Sequence, residues 1–328
     1  METNRENKTF ATELILLGFS DDLNTNICLF PIFFLIYVLS VAGNGLIVFV
    51  VVLNSALHTP MYFFIINLSF IDLCYSSSAI PKLLVDLLST RRTISVIGCL
   101  IQFKVILLLG TTECQLLALM AYDRYIAICR PLRYHVLMRW SVCLNLIAFV
   151  WIFSFINVII PSLAMPIIVC YPNEINNFMC EVLSVLRLSC YDTTIQELVI
   201  FFMGFIVLLV PFVLILVSYS CIVSSILKIQ SSTRSKAFST CTSHITVVAM
   251  FFGALIITYL RPSSSDSLNQ DKYFLMFCSI ICPMLNPLIY SLNNREVKKV
   301  LGQIGRPEHP RMKITLTAAP RCVTPSTQ

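Results

Sequence analysis

The chain has 328 residues, is 57% hydrophobic and only 12% charged, and carries a formal net charge of +6. A soluble domain carries about a quarter charged residues, and the mean hydropathy of +0.83 points the same way. The composition is that of a polytopic membrane protein and argues against a soluble enzyme or a nucleic-acid-binding module.

In chain order, the start METNRENKTFATELILLGFS has one short apolar patch and acidic flanks. It lacks the charged n-region and long h-region of a cleaved signal, so the first membrane helix is expected to do its own targeting. A spanning helix needs roughly 20 largely apolar residues. Seven such runs follow, at 28–53, 59–87, 98–129, 141–165, 196–227, 237–260 and 272–291. The second and seventh are the least uniform, because each carries polar residues. Connections are short apart from 166–195, and no transporter-like internal repeat is visible. The stretch after 302 is rich in Pro, Thr and basic residues and has the composition of a disordered tail.

Basic residues orient the bundle. With the N-terminus outside, the inner loops and tail hold Arg130, Arg133, Arg139, Lys228, Arg234, Lys236, Lys298 and Lys299, among others. The outer side holds fewer, including Arg91, Arg92, Arg187 and Lys272, mixed with many acids. Asn7-Lys8-Thr9 is an N-glycosylation sequon, usable only on the lumenal side. Fourteen cysteines are present, of which Cys99, Cys170, Cys180 and Cys190 fall outside. An even set in an oxidising compartment favours two disulfides over zinc or free thiols, and three pairings are open.

Ionisable residues inside a membrane are costly and usually functional. Asp72 stands mid-way along the second run and Glu113 well inside the third. Glu113 precedes Arg124 by eleven residues. That is roughly 16 Å of helix, about half the ~30 Å hydrocarbon core, and a return to nearly the same helix face. Two interior carboxylates at similar depth cannot both stay charged alone. Either they are neutral and separately hydrogen-bonded, or they share a small cation to which Ser69 could add a hydroxyl. The residues alone leave both readings open. Prolines 60, 81, 161, 211, 283 and 287 fall in or at the ends of the runs and mark kinks. Asn286 is expected to cap carbonyls that Pro287 frees, with Tyr290 one turn further inward. The kink is either static or a hinge.

These residues carry a family resemblance over about 10–301. Gly43-Asn44, LHTPMYFFIINLSFIDLCYSS (57–77), MAYDRYIAICRPLRY (120–134), Ser218-Tyr219, KAFSTCTSHITVV (236–248) and PMLNPLIYSLNNREVKKVL (283–301) occur in order. Together they resemble the vertebrate odorant receptors of the rhodopsin-like G-protein-coupled receptor family, in the form typical of the tetrapod-type (class II) subgroup. The resemblance implies an all-α seven-helix membrane bundle at 28–291, an outer N-terminus at 1–27, an amphipathic surface helix at 292–302 and a cytoplasmic tail at 303–328. It implies a Cys99–Cys180 bridge and a Cys170–Cys190 bridge. It makes Asp72 and Glu113 a sodium site, which tips the open choice toward a shared cation, and no other cofactor is expected. Asp123, Arg124, Tyr219, His244, Asn286, Pro287 and Tyr290 become the activation switch. The partners implied are a small volatile odorant, a heterotrimeric G protein of the stimulatory olfactory type that raises cyclic AMP, and membrane lipid, but no nucleic acid. The implied location is the plasma membrane of olfactory cilia. Two departures stand out. The usual Phe-Tyr-Gly of the sixth helix is Phe251-Phe252-Gly253, and the tail beyond 303 is longer than usual.

Carrying the family's pocket over by motif offset gives Phe103, Ile106, Leu107, Gly110 and Thr111 on the third helix and Met203, Gly204 and Val207 on the fifth. Phe252, Leu255 and Tyr259 follow on the sixth, and Met276 and Ser279 on the seventh. The set is apolar with few hydroxyls. No acid stands where an amine-binding receptor would place one, and Ile106 occupies that zone. A small neutral volatile molecule fits. Lys104, near the outer end, reads as a snorkelling side chain. The competing reading is a channel or transporter using the two carboxylates, but the continuous polar lining that needs is missing. No protease, HExxH or Ser-His motif supports an enzyme.

Overall fold

The computed structural model describes residues 10–164, 167–228, 231–260 and 267–292. A short strand, β1 (Glu13–Leu16), precedes the first long helix, α1 (Leu23–Leu53). Then come α2 (Pro60–Leu88), β2 (Thr93–Ser95) and α3 (Val96–Cys129). A short α4 (Tyr134–Leu137) leads to α5 (Trp140–Ala164). The following loop holds β3 (Glu174–Ile175) and a five-residue helix, α6 (Val182–Leu186). The rest is α7 (Thr194–Ile226), α8 (Ser231–Leu260), α9 (Ser267–Met276) and α10 (Cys282–Leu292).

Local chemistry sets the helix starts. Asp22 Oδ2 accepts from Thr25 N at 2.9 Å and caps α1, and Ser95 Oγ accepts from Gly98 N at 3.1 Å and caps α3. Pro60 opens α2, where its missing N–H costs nothing. Six helical segments are long and apolar enough to cross a membrane, and α8 adds the shorter apolar stretch Cys241–Ile257. The bundle is the expected seven-helix one, with α9 and α10 forming one span. A five-residue π turn, Phe277–Ile281, joins those two. Pro283 has no N–H to offer the Ser279 carbonyl, and the turn before it widens. The sequence pattern shows an apolar run there but not this wide turn.

α3 is the hub, packing on α2, α5, α7 and α8. Its middle turns, Leu116 to Ala121, are buried against Phe64, Leu68 and Ile71 of α2 and Val247 and Phe251 of α8. Burying one such side chain contributes about 1.5–3 kcal/mol in water. α7 is apolar all round, and Phe202, Val210, Val213 and Leu214 remain exposed on it. Such a helix faces lipid.

The outer face is capped by a three-stranded sheet in the order β2-β1-β3. β1 runs antiparallel to β2, with Leu14 opposite Ile94, and parallel to β3, with Ile15 opposite Glu174. Leu14 and Leu16 point into an outer core beside Phe103 and Ile175. The disulfides are Cys99–Cys180 and Cys170–Cys190. The long connection expected at 166–195 is, over its described residues 167–195, a folded roof. Two- and five-residue elements are too short to give a periodic signal. Of the surface helix expected at 292–302 only Leu292 is described, as the end of α10, and the tail 303–328 and Asn7 lie outside the described residues.

Candidate functional site

At the cytoplasmic end of α3, Arg124 Nη2 donates to Asp123 Oδ2 at 2.6 Å and Nε donates to the same oxygen at 3.1 Å. The other carboxylate oxygen is also engaged: Tyr134 Oη of α4 donates to Asp123 Oδ1 at 2.9 Å. Burial and the Asp123 charge hold the Tyr134 hydroxyl above its ordinary range, so it stays a donor. Tyr134 and Leu132 are functional candidates that the motif reading passed over, although both lie within the quoted stretch. Leu132 is 97% exposed between Arg130 and Arg133. An isolated apolar side chain amid bases was the available signal.

A second lock stands beside the first. His244 Nε2 lies 3.1 Å from the Leu117 carbonyl oxygen, which can only accept. In the neutral ring this makes Nδ1 the acceptor, so Tyr219 Oη donates to it, at 2.8 Å. The Tyr219 and His244 rings also stack, with centroids 5.7 Å apart. Tyr290 is buried, and its hydroxyl has no hydrogen bond among the described residues. Arg124 is thus engaged by Asp123, and Tyr219 is occupied elsewhere.

In mid-bundle, Asp72 and Glu113 are 1% and 2% exposed. They lie within electrostatic reach of each other. Asn286 Nδ2 donates to both Asp72 oxygens, at 3.1 and 3.0 Å. This corrects the expectation that Asn286 caps carbonyls freed by Pro287. The carbonyl in question is that of Pro283, and Asn44 of α1 takes it, with Nδ2 at 2.8 Å. Gly43 makes the approach possible, since a Cβ there would stand 3.1 Å from Pro287 Cβ. Sequence reasoning placed the cap on the neighbour in the chain, whereas the bundle supplies it from another helix.

The residues carried over as a ligand pocket divide among three apolar clusters. Phe103 and Leu107 pack under the roof with Val182 and Leu186. Ile106 and Met276 meet Phe33, Ile80 and Phe178. Val207, Phe252 and Leu255 join the central core, where the Phe252 ring lies 5.4 Å from Phe212. Thr111 is buried. Ser279 Oγ is spent on the Leu275 carbonyl, at 2.7 Å. Met203 is half-buried, and around Gly204 the space is open. Gly110 departs from the expectation: a Cβ there would stand 2.7 Å from Tyr75 Oη. It belongs to the α2–α3 contact, because motif offset fixes a position in the chain and not which neighbour presses on it. The Tyr259 side chain lies outside those described.

Residues 33–305 match the family model described as olfactory receptor. Olfactory receptor 2B2 of Homo sapiens is 46% identical over 305 residues, covering 92% of this chain and 85% of that one. Olfactory receptor 2A5 of Homo sapiens is 46% identical, with 91% and 97% covered. Olfactory receptor 2A7 of Mus musculus is 43% identical, with 92% and 97% covered. The chain belongs to the olfactory receptor family. It is a multi-pass membrane receptor of the G-protein-coupled type, with the features of the tetrapod-type subgroup, and not an enzyme. At the inner end of this olfactory receptor's bundle, His244 ties the sixth helix to the Leu117 carbonyl of the third and to Tyr219 of the fifth, while Arg124 stays on Asp123 within the third.

Proposed function

We propose that this receptor binds small, mostly apolar volatile molecules inside the bundle and activates a stimulatory G protein of the olfactory kind, raising cyclic AMP. The observation that carries the reading is the pair of occupied locks, Arg124 on Asp123 and Tyr219 on His244, beneath an apolar interior. A ligand that packs better when α8 has moved outward shifts the population toward the state in which both locks are open. Thr111 is a buried hydroxyl among the residues carried over as the pocket, placed to orient an odorant with one polar group. Leu132, with Arg130 and Arg133 around it, is the apolar contact offered to the G protein. The location that goes with this reading is the plasma membrane of olfactory cilia.

Two buried carboxylates with no ion pair among the described residues, and the buried Ser69 hydroxyl, make an oxygen donor set that suits a sodium ion. Asp72, Glu113 and Ser69 would hold it, and bound there it would offset one of the two carboxylate charges and favour the resting packing. A channel or transporter is not favoured, because the interior above the carboxylates is apolar.

The test is a cyclic AMP assay over a broad odorant panel with surface expression measured in parallel. Arg124→Ala should abolish the response at unchanged surface level, and Tyr259→Phe should alter ligand preference alone. Silence across the panel at proven surface expression, or an Arg124→Ala variant that signals like the parent, overturns the reading.

A further inference from the structure

Residues 10–20 form a strap across the outer ends of α1 and α2. The strap is held by its strand pairing and then by side chains beyond it. Arg92 Nη1 donates to the carbonyls of Leu17 at 2.7 Å and Ser20 at 2.8 Å. Asn26 Nδ2 donates to the same Ser20 carbonyl at 3.1 Å. Gly18, at φ +70°, makes the turn between these anchors, a conformation open to glycine at no steric cost. Phe19 then stacks between Phe33 and Phe178, with centroids 5.5 and 4.9 Å away.

Beneath the strap lies a cleft lined by Leu16, Gly18, Phe19, Asn26, Leu83, Asp86, Leu87, Arg92 and Phe178. Two of its polar members are almost fully buried, Asn26 at 0% and Asp86 at 5% exposure. Each has one oxygen that accepts no hydrogen bond among the described residues, Asn26 Oδ1 and Asp86 Oδ2. Their other polar atoms are engaged: Asn26 Nδ2 by Ser20, and Asp86 Oδ1 by the Lys82 ammonium. A buried acceptor left unmatched costs about 1–3 kcal/mol, so each of the two calls for a donor, and the cleft they both line is where it can come from.

The chemistry of the walls narrows the guest. Both free atoms are acceptors, which excludes an anion. Lys82 already neutralises Asp86, and Arg92 adds a second positive charge on the wall, which disfavours a cation. The guest is therefore neutral and carries two donors. The space for the centre of a water molecule is about 10 Å³, close to the roughly 10–15 Å³ that one water needs. A larger alcohol or amide does not fit.

We propose that this cleft is a hydration site: one water donates to Asn26 Oδ1 and Asp86 Oδ2 and joins α1 to α2 under the N-terminal strap. The water ties the strap anchor Asn26 to the Lys82–Asp86 pair, so the outer ends of the first two helices and the strap move as one piece. The site shares the Phe178 wall with the apolar cluster that holds Ile106 and Met276.

The test uses the full-length receptor in nanodiscs. A density map that resolves other buried waters should show one within hydrogen-bonding distance of both oxygens. Leu83→Met extends an apolar chain into the cleft without touching either polar group. If water is displaced, both acceptors are stranded and the thermal midpoint falls by ~2–4 °C. On an Asn26→Leu background, where only the Asp86 acceptor is left to strand, the same substitution should lower the midpoint by less. A dry cleft gives the opposite sign, because filling a void stabilises. A midpoint that rises or stays level with Leu83→Met in the parent, or a map with no density between the two oxygens, overturns the proposal.

Discussion

Asn44 Nδ2 stands 2.8 Å from the carbonyl oxygen of Pro283, the acceptor that Pro287 leaves without its helical donor. The kink in α10 is thus supported from α1, and the same amide nitrogen also donates to the Ser40 carbonyl at 3.0 Å. Asn44→Ala should strand the Pro283 oxygen at a cost of about 1–3 kcal/mol. The expected result is a lower thermal midpoint of the purified receptor and less of it at the cell surface. Equal midpoints for parent and variant would show that the kink stands without this support.

Tyr134 and Arg124 share Asp123 between them, one carboxylate oxygen each. Tyr134→Phe removes a donor to Asp123 Oδ1 and the fixed position that comes with it. This contact is taken to belong to the state in which Arg124 is held. Basal cyclic AMP should therefore rise several-fold, the sign expected for a shift of about 1 kcal/mol in a two-state equilibrium. Asp123→Asn should raise it further. Normalising to surface receptor checks both, and a basal level equal to the parent's in Tyr134→Phe would assign the hydroxyl a packing role only.

Much of this arrangement is legible in the sequence. Long apolar runs can do little but span, and Asp72, Glu113 and Arg124 stand out because charge there is costly. The eleven-residue spacing places Glu113 and Arg124 on one face of α3. Partners across helices are not legible. Nothing local says that Asn44 serves Pro283, that Tyr75 reaches Gly110, or that His244 takes Tyr219 while resting on Leu117. These contacts depend on how close two helix axes come, which glycine and proline permit but do not announce. The sheet formed by β1, β2 and β3 was hidden for a different reason. Strands of two to four residues carry too few alternations to be told from loop.

Gly110 provides a test that separates packing from ligand contact. A Cβ there would meet Tyr75 Oη at 2.7 Å. Gly110→Ala should lower thermal stability and surface expression, because the buried Tyr75 side chain or the helix that carries it must shift. Tyr75→Phe removes the colliding oxygen, so the double variant should recover much of the loss. If Gly110→Ala instead leaves stability intact and changes odorant preference, the residue faces ligand after all. A melting curve and a dose–response series on the same four proteins decide it.

Glu181, next to the Cys180 bridge, gives the roof a pH dependence. Burial raises its carboxyl above the ordinary value, against bonds from the Leu183 and Ser184 amides and the Ser184 hydroxyl and the charge of Arg187. Oε2 accepts from Ser184 N at 2.9 Å, whereas Oε1 is buried with no hydrogen bond among the described residues. A carboxyl whose folded pKa exceeds its unfolded one favours the folded state while protonated. That contribution is complete below the unfolded value, about 4.3 for Glu, and is lost as pH rises through the folded value. The roof should therefore be held more firmly in mild acid than at neutrality, on account of this one group. Glu181→Gln keeps an acceptor for Ser184 and cannot ionise. The variant's thermal midpoint should vary less with pH between about 4 and 8, and at neutral pH it should equal or exceed the parent's. Parallel curves for the two proteins would mean that the Glu181 carboxylate is solvated in the folded receptor and that burial does not govern it.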